Sequence, residues 1–306
     1  MKLGKLGLPA SNYSITKFFN RMISVVQLGT LDYSTALRLQ QRLVELRKDR
    51  RVGDVLLLLE HTPVVTLGRN AKATNITASP ELLVQRGVEV FQCDRGGDVT
   101  FHGPGQLVGY PIIDLRGLRS ADEKRKTVGA VEYVRRLEEV LIRTCADFGV
   151  TTKRIKGLTG VWTEGEGETQ DPSTYGSFAS ERSASLGTTE DVAKSEAKIA
   201  ALGVHISRGV TSHGFALNVN TDLGFFNLII PCGITTKPVT SLEKELGKAI
   251  SLQEVAHSVS RNFGVVFGSQ MLWVENLDDL LNTVGVPLQT PTELRKLRGK
   301  EDIFLA

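Results

Sequence analysis

Apolar strand-like segments that follow one another without an intervening helix constrain the fold of this chain most strongly. Residues 55–60 are predicted to form a buried strand, 64–67 resume it after a His-Thr-Pro break, and 106–115 form another. A parallel, doubly wound sheet would alternate strands and helices more regularly. Only three or four helices are predicted, most clearly at 33–50 and 127–148. We therefore expect an α/β fold of the α+β type, with a mixed β-sheet flanked by helices.

The segment 127–148 has the clearest helical periodicity. Its apolar residues recur three and four positions apart, which places them on one face of a helix. This stripe consists of Val131, Val134, Leu137, Leu141, Cys145 and Phe148. Cys145 is therefore predicted to be a core thiol, and Gly149 to end the helix.

Composition excludes several functional classes. The 306 residues suit one core of about 200–250 residues with additional segments. A net charge of +3, without a concentrated basic face, argues against nucleic-acid binding. No run approaches the roughly 20 apolar residues that span a membrane. Three widely spaced cysteines without a CxxC pair predict neither a disulfide framework nor a zinc site, and they favour a reducing compartment.

The composition changes along the chain and divides it into segments. Residues 1–24 are basic and hydroxyl-rich and contain no acidic residue, which is typical of a mitochondrial targeting segment. The alternative is a disordered leader on a cytoplasmic protein. The main domain is predicted at 25–268, with a polar insertion at 164–195 rich in Gly, Glu, Ser, Thr and Asp. Residues 269–306 are expected to form a C-terminal extension.

A glycine-rich segment from residue 95 to residue 106 indicates a binding loop. Its spacing fits neither a dinucleotide fingerprint nor a P-loop. Glycines allow the backbone to approach a ligand closely, and a neutral, extended acyl chain suits such a surface. The alternative is a purely structural hairpin between strands.

Cys232 is the strongest candidate for a catalytic residue. An apolar, strand-like run at 225–230 delivers this thiol to a turn between Pro231 and Gly233, where a nucleophile would be accessible. Lys198 opens another apolar strand, and an ammonium group beside a thiol favours the thiolate. The alternatives are that Cys232 is a small buried hydrophobic residue and that Lys198 is a solvated surface charge. No His, Asp or Glu cluster has metal-ligand spacing.

Four sequence motifs, in the order in which they occur along the chain, resemble those of a known family. They are Arg-Gly-Gly-x-x-Thr-x-His-Gly-Pro-Gly-Gln from Arg95, Lys-Ile-Ala-Ala-x-Gly from Lys198, His-Gly-x-Ala-Leu-Asn from His213, and Pro-Cys-Gly around Cys232. With these motifs the chain resembles the lipoyl(octanoyl) transferases of protein lipoylation, from about Val25 to about Phe267. The resemblance implies a fold like the catalytic domain of biotin and lipoate protein ligases. Family members have few residues where this chain has its insertion.

The resemblance also implies roles for individual residues. Cys232 matches the cysteine that holds the acyl group as a thioester, and Lys198 matches the lysine that activates it. Tyr110 and His213 match pocket positions. Backbone N–H groups near Gly233 or residues 201–203 are candidates for holding the oxyanion. The remaining residues that match segments lining the acyl pocket are Arg95, Gly96, Gly97, Asp98, Val99, Thr100, Phe101, His102, Ala201, Leu202, Gly203, Gly214, Phe215 and Ala216.

The implied activity is octanoyl transfer, the first step of protein lipoylation. The donor would be octanoyl-acyl carrier protein. The acceptors would be lysines of the lipoyl domains of 2-oxoacid dehydrogenases and of the glycine cleavage H protein. No cofactor is expected, neither ATP nor metal. Three alternatives stay open at this point: an ATP-dependent lipoate–protein ligase of the same fold, an octanoyl amidotransferase between protein-bound lysines, and a non-catalytic adaptor.

Overall fold

Two β-sheets organise the computed structural model, which describes residues 21–122, 124–164 and 195–275. The larger sheet has eight strands in the order β11-β1-β2-β6-β10-β9-β8-β7. Its strands are β1 (Met22–Leu31), β2 (Asp54–His61), β6 (Gln106–Ile112), β7 (Thr152–Ile155), β8 (Leu158–Thr163), β9 (Lys198–Ser207), β10 (Val210–Asn218) and β11 (Gln270–Val274). β1 pairs in parallel with β2 and β11, and the other pairs are antiparallel. The predicted mixed sheet is confirmed.

A smaller sheet stands beside the large one. Its strands are β3 (Val64–Leu67), β4 (Glu89–Gln92) and β5 (Val99–His102), with β3 at the centre. β3 pairs in parallel with β4 and antiparallel with β5. The glycine-rich segment connects β4 to β5 and continues into β6, so it joins the two sheets.

Helices cover both faces of the large sheet. They are α1 (Tyr33–Lys48), α3 (Ala130–Asp147), α4 (Leu242–Leu246) and α5 (Leu252–Phe267). The short helix α2 (Pro80–Gln85) packs on the small sheet instead, because its Leu83 belongs to the same apolar cluster as Val65 and Phe101. α1 packs with the apolar cluster that includes Leu57, Val108 and Ala216. The residues of α3 and α5 belong to the cluster on the opposite face, which includes Phe215 and Leu217. The site described below lies on the α1 face.

Hydrogen bonds from side chains fix where the helices begin. Asp32 accepts from the Thr35 amide at 2.9 Å and starts α1, and Ser251 accepts from the Glu254 amide at 3.3 Å and starts α5. Such caps satisfy amides that have no partner inside the helix. α4 begins in the same way, because the Ser241 side chain accepts from the Lys244 amide at 3.2 Å.

Two expectations about apolar segments were wrong. The run before Cys232 is not a strand: residues 223–228 form a 3₁₀ helix. Its aromatic rings pack on the small sheet, where Phe225 stacks on Phe101 with ring centroids 4.7 Å apart. Val131 was expected on the core face of α3 but is 73% exposed. It lies in the first turn, before the buried stripe that begins at Tyr133.

The predicted segment boundaries fall partly within the described residues. β1 begins at Met22, inside the predicted leader, and β11 lies inside the predicted C-terminal extension and pairs with β1. Nearly all of the insertion predicted at 164–195, and the C-terminal extension beyond residue 275, lie outside the described residues. Among the helices of the described ranges, none has the length and apolarity needed to cross a membrane.

Candidate active site

Lys198 and Cys232 meet although 34 residues separate them in sequence. The Lys198 ammonium nitrogen lies 3.4 Å from the Cys232 sulfur, within hydrogen-bond distance for a sulfur acceptor. Lys198 is 6% exposed, whereas Cys232 is half-buried. A buried ammonium group in contact with a partly accessible thiol is a suitable arrangement for an activated nucleophile.

Backbone and side-chain contacts hold Lys198 in place. Its amide donates to the Pro238 carbonyl at 2.8 Å, and its carbonyl accepts from the Thr240 amide at 2.9 Å. The ammonium nitrogen also lies 4.7 Å from the centre of the Trp162 ring, a favourable cation–π distance. Gly160 leaves room for the lysine stem, because a Cβ there would lie 3.1 Å from Lys198 Cε. The side chain therefore has little freedom to leave the thiol.

The backbone at Cys232 has the left-handed conformation, with φ 55° and ψ 20°. Such values are uncommon outside glycine and cost free energy, and they cluster at functional sites. The turn is anchored because the Ile230 amide donates to the Asn75 carbonyl at 2.7 Å. The Gly233 amide donates to the Ile230 carbonyl at 3.1 Å. The Gly233 amide is therefore bonded inside the turn and is not directed at a substrate oxyanion. Residues 201–203, the other candidates for holding the oxyanion, lie in β9.

The glycine-rich segment presents alternate side chains to opposite sides. In β5, Thr100 and His102 line a pocket, whereas Val99 and Phe101 belong to the apolar cluster under the small sheet. This is the two-residue alternation of a strand. The Gly96 amide donates to the Val204 carbonyl at 3.0 Å, which fixes the loop to β9.

The pocket extends from Cys232 between the two sheets. Most of the predicted binding residues are brought together in its wall, but Gly96, Val99 and Phe101 are not. Tyr33, a buried residue of α1, was not predicted and also lines the pocket. The predicted residues in the wall are Arg95, Gly97, Asp98, Thr100, His102, Tyr110, Ala201, Leu202, Gly203, His213, Gly214, Phe215, Ala216 and Cys232.

Two charged residues of the loop are hydrogen-bonded rather than free. The Arg95 guanidinium donates to the Thr66 carbonyl at 2.7 Å and to its hydroxyl. The Asp98 carboxylate accepts from the Val99 amide at 2.7 Å and from the Asn75 amide group at 2.5 Å. The bonds to Thr66 and Asn75 tie the loop to neighbouring segments.

Neutral, hydrogen-bonded side chains lie in the wall and next to it: His102 and Tyr110 line the pocket, and His61 contacts Tyr110 from outside it. The His61 Nδ1–H donates to the Leu31 carbonyl at 3.0 Å, so Nε2 accepts from the Tyr110 hydroxyl at 2.6 Å. His102 donates from Nδ1 to the side-chain oxygen Oε1 of Gln106 at 2.7 Å. Burial lowers the pKa of His61 to about 4 and that of His102 to about 3. Both rings are therefore uncharged at neutral pH, as a pocket for an alkyl chain requires.

His213 is part of the pocket wall, and Asp94 holds its ring from outside the pocket. The His213 Nε2–H donates to Asp94 Oδ1 at 2.7 Å, and His205 donates to the other oxygen of the same carboxylate. The hydrogen bond from His213 holds the pKa of Asp94 well below its usual range. Burial lowers the pKa of His213. Sequence analysis did not identify Asp94, because only the folded chain brings it to β10.

The other two cysteines lie apart from this chemistry. Cys145 is fully buried in the core, as predicted, and burial raises the pKa of its thiol to about 12. Cys93 is half-buried and donates to the Leu67 carbonyl. The described ranges contain no group of His, Cys, Asp and Glu residues that could hold a metal ion.

Comparison with solved structures identifies the same fold in lipoate-protein ligases. A bi-partite lipoate protein ligase from Thermoplasma acidophilum aligns with a TM-score of 0.57 at 14% identity, covering 86% of this chain and 90% of that chain. A lipoate-protein ligase A bound with ATP aligns with a TM-score of 0.55 at 15% identity, covering 86% and 92%. At these identities the similarity establishes the fold alone.

Sequence comparison is more specific. Residues 32–264 match the family described as Lipoyl protein ligase A/B catalytic domain. An octanoyltransferase of the bacterium Koribacter versatilis is 54% identical over 93% of this chain and 100% of the relative. An octanoyltransferase of Acidobacterium capsulatum is 52% identical over 85% and 96%. The chain therefore belongs to the octanoyltransferases of the lipoyl protein ligase A/B catalytic-domain family.

Proposed function

We propose that this chain transfers an octanoyl group from octanoyl-acyl carrier protein to a lysine of lipoate-dependent enzyme domains, through a thioester on Cys232. The observation that carries the proposal is the 3.4 Å contact between Lys198 Nζ and Cys232 Sγ at the open end of an apolar pocket. The names of the relatives support the octanoyl group as the cargo.

The first half-reaction forms the acyl-enzyme. The Cys232 thiolate attacks the thioester carbonyl of the donor, and the bond from that carbon to the pantetheine sulfur breaks. Lys198 donates its proton to the departing sulfur and becomes neutral. The octanoyl chain occupies the pocket beside Tyr110 and His102, where burial keeps the His102 ring uncharged.

The second half-reaction restores the enzyme. The acceptor lysine attacks the Cys232 thioester as a neutral amine, and a carbon–nitrogen bond replaces the carbon–sulfur bond. Lys198 takes the proton released by the amine and becomes an ammonium group again. Cys232 leaves as the thiolate that Lys198 stabilises. The thioester supplies the free energy for amide formation, so the cycle requires no ATP.

A lipoate–protein ligase activity is the second candidate, because a ligase bound with ATP has the same fold. The test is octanoylation of a purified lipoyl domain by three donors in separate reactions: octanoyl-acyl carrier protein, octanoate with ATP, and an octanoylated glycine cleavage H protein. We expect transfer from the carrier thioester alone, without ATP. Transfer only from octanoate with ATP would identify a ligase, and transfer only from the H protein would identify an amidotransferase.

The predicted mitochondrial location is a separate hypothesis. The relatives named above are bacterial, and residues 1–20 lie outside the described residues. Imaging of a full-length fusion and of one lacking residues 1–20 in a eukaryotic cell would test it. Identical cytoplasmic distributions would contradict the hypothesis.

A further inference from the structure

A second cavity lies behind the acyl pocket, and His213 is the residue that lines both. The pocket is narrow, with a volume of ≈ 40 Å³, whereas the second cavity has a volume of ≈ 360 Å³. This cavity opens to the surface, and Leu37 and Val44 of α1 are its apolar side chains. Its other lining residues are Gln40, Gln41, Glu45, Lys48, Asp94, His205, Ser207 and Ser212. The His213 side chain therefore separates a narrow space from a wide one.

The His213 ring is held in this position from two sides. Its backbone is left-handed, with φ 54°, which is rare in a strand interior. The amide of His213 donates to Gln40 Oε1 at 2.8 Å, and its ring donates to Asp94. The residue is 2% exposed. A strained backbone with hydrogen bonds at both ends indicates a fixed side chain rather than a mobile one.

The stretch of pocket wall between Ala201 and the partner of His213 is about as long as an eight-carbon chain. His213 pairs with Val204 across the strands, and Ala201 of β9 lies in the pocket wall nearer to Lys198. Three residues of strand from Ala201 to Val204 span about 10 Å. An extended octanoyl chain is comparable, roughly 9 Å at C–C bonds of about 1.5 Å.

We propose that His213 is the wall that limits acyl chain length, that Asp94 is the positioning residue that holds it there, and that the second cavity is the space a longer chain enters once the ring is removed. This inference rests on the proposed octanoyl transfer. Without the ring, the ω-end of a dodecanoyl chain would enter a wider space, where Leu37 and Val44 offer apolar contacts among polar side chains.

The test compares acyl-enzyme formation from octanoyl-, dodecanoyl- and tetradecanoyl-acyl carrier protein, measured by intact mass. The variant is His213→Gly, because glycine adopts a φ of 54° without strain and the fold is expected to tolerate it. We expect its ratio of dodecanoyl to octanoyl adduct to rise about tenfold or more over the wild type. Ser212→Ala is the matched control, since Ser212 lines only the second cavity, and its ratio should not change.

A second pair of variants tests the positioning role and does not depend on the glycine variant. Asp94→Ala removes the hydrogen bond that holds the ring, so the ratio should rise by a smaller factor. Asp94→Asn keeps an acceptor oxygen and should restore the wild-type ratio. A merely structural role of Asp94 would lower the melting temperature of both variants without changing the ratio.

Two results would overturn the inference: an unchanged ratio in folded His213→Gly and Asp94→Ala proteins, or a wild type that accepts dodecanoyl as readily as octanoyl. If the wild type forms no octanoyl adduct, the proposed function fails instead. The wall is then tested by calorimetric binding of octanoate and dodecanoate to the same proteins, where equal preferences in wild type and variants would refute it.

Discussion

Cys232 at the open end of the acyl pocket and His213 at its closed end share a left-handed backbone, with φ values of 55° and 54°. Their surroundings differ. Cys232 is half-buried and touches an ammonium group, whereas His213 is 2% exposed and donates to a carboxylate. Both conformations orient a side chain that the regular backbone would direct elsewhere. The same backbone conformation therefore serves two purposes. The ammonium group beside Cys232 makes that end of the pocket reactive, and the carboxylate that binds His213 keeps the other end closed.

Removing the thiol at the open end should have the largest effect. Cys232→Ser leaves a hydroxyl that Lys198 activates far less well, so turnover should fall by at least about 10³-fold. Turnover is measured as octanoylation of a lipoyl domain. Cys93→Ser is the matched control, because a serine retains the hydrogen bond to the Leu67 carbonyl, and its turnover should stay near wild type. Comparable turnover in both variants would remove Cys232 from the mechanism.

Neutralising the ammonium group should have the next largest effect. Lys198→Met keeps an unbranched side chain beside Trp162 but has no proton to transfer, so thioester formation should slow by about 10²–10⁴-fold. The rate is measured by rapid quench with octanoyl-acyl carrier protein in excess. The control is Lys156→Met at an exposed turn, expected to be unchanged. Equal rates for both variants would contradict a proton-transfer role for Lys198.

Two buried histidines, His102 in the pocket wall and His61 beside it, should make stability depend on pH. In the unfolded chain they bind protons near pH 6.5, whereas in the folded chain burial lowers the pKa of His61 to about 4 and that of His102 to about 3. The unfolded state therefore binds more protons between these values, and acidification favours it. The free energy of unfolding should be full above pH 6.5 and fall by up to about 1 kcal/mol per pH unit for each histidine as the pH drops toward 5.

Urea unfolding at pH 7.0, 6.0 and 5.0 measures this slope. A His61→Asn variant should show a shallower dependence than the wild type, and a His257→Asn variant on the exposed face of α5 should show the same dependence as the wild type. A free energy of unfolding that does not change with pH over this range would show that burial does not keep His61 and His102 uncharged.

Local sequence patterns predicted the mixed sheet and the main helices. The family resemblance predicted that Lys198 acts on Cys232. The alternation that removes Val99 and Phe101 from the pocket is a property of any strand and could have been predicted from β5 alone. The positions of Tyr33 and Asp94 at the site could not be predicted from the sequence, because they depend on packing between segments that are distant in sequence. The strand expected before Cys232 failed because aromatic stacking on Phe101 favours a 3₁₀ helix there.

The central claim is the acyl-enzyme on Cys232, and intact mass spectrometry tests it most directly. The protein is mixed with octanoyl-acyl carrier protein without ATP, desalted, and then mixed with a lipoyl domain. We expect a gain of one octanoyl group that hydroxylamine removes, that Cys232→Ala lacks, and that passes to the lipoyl domain when it is added. An unmodified protein that nevertheless octanoylates the lipoyl domain, or an adduct that persists in Cys232→Ala, would contradict the account.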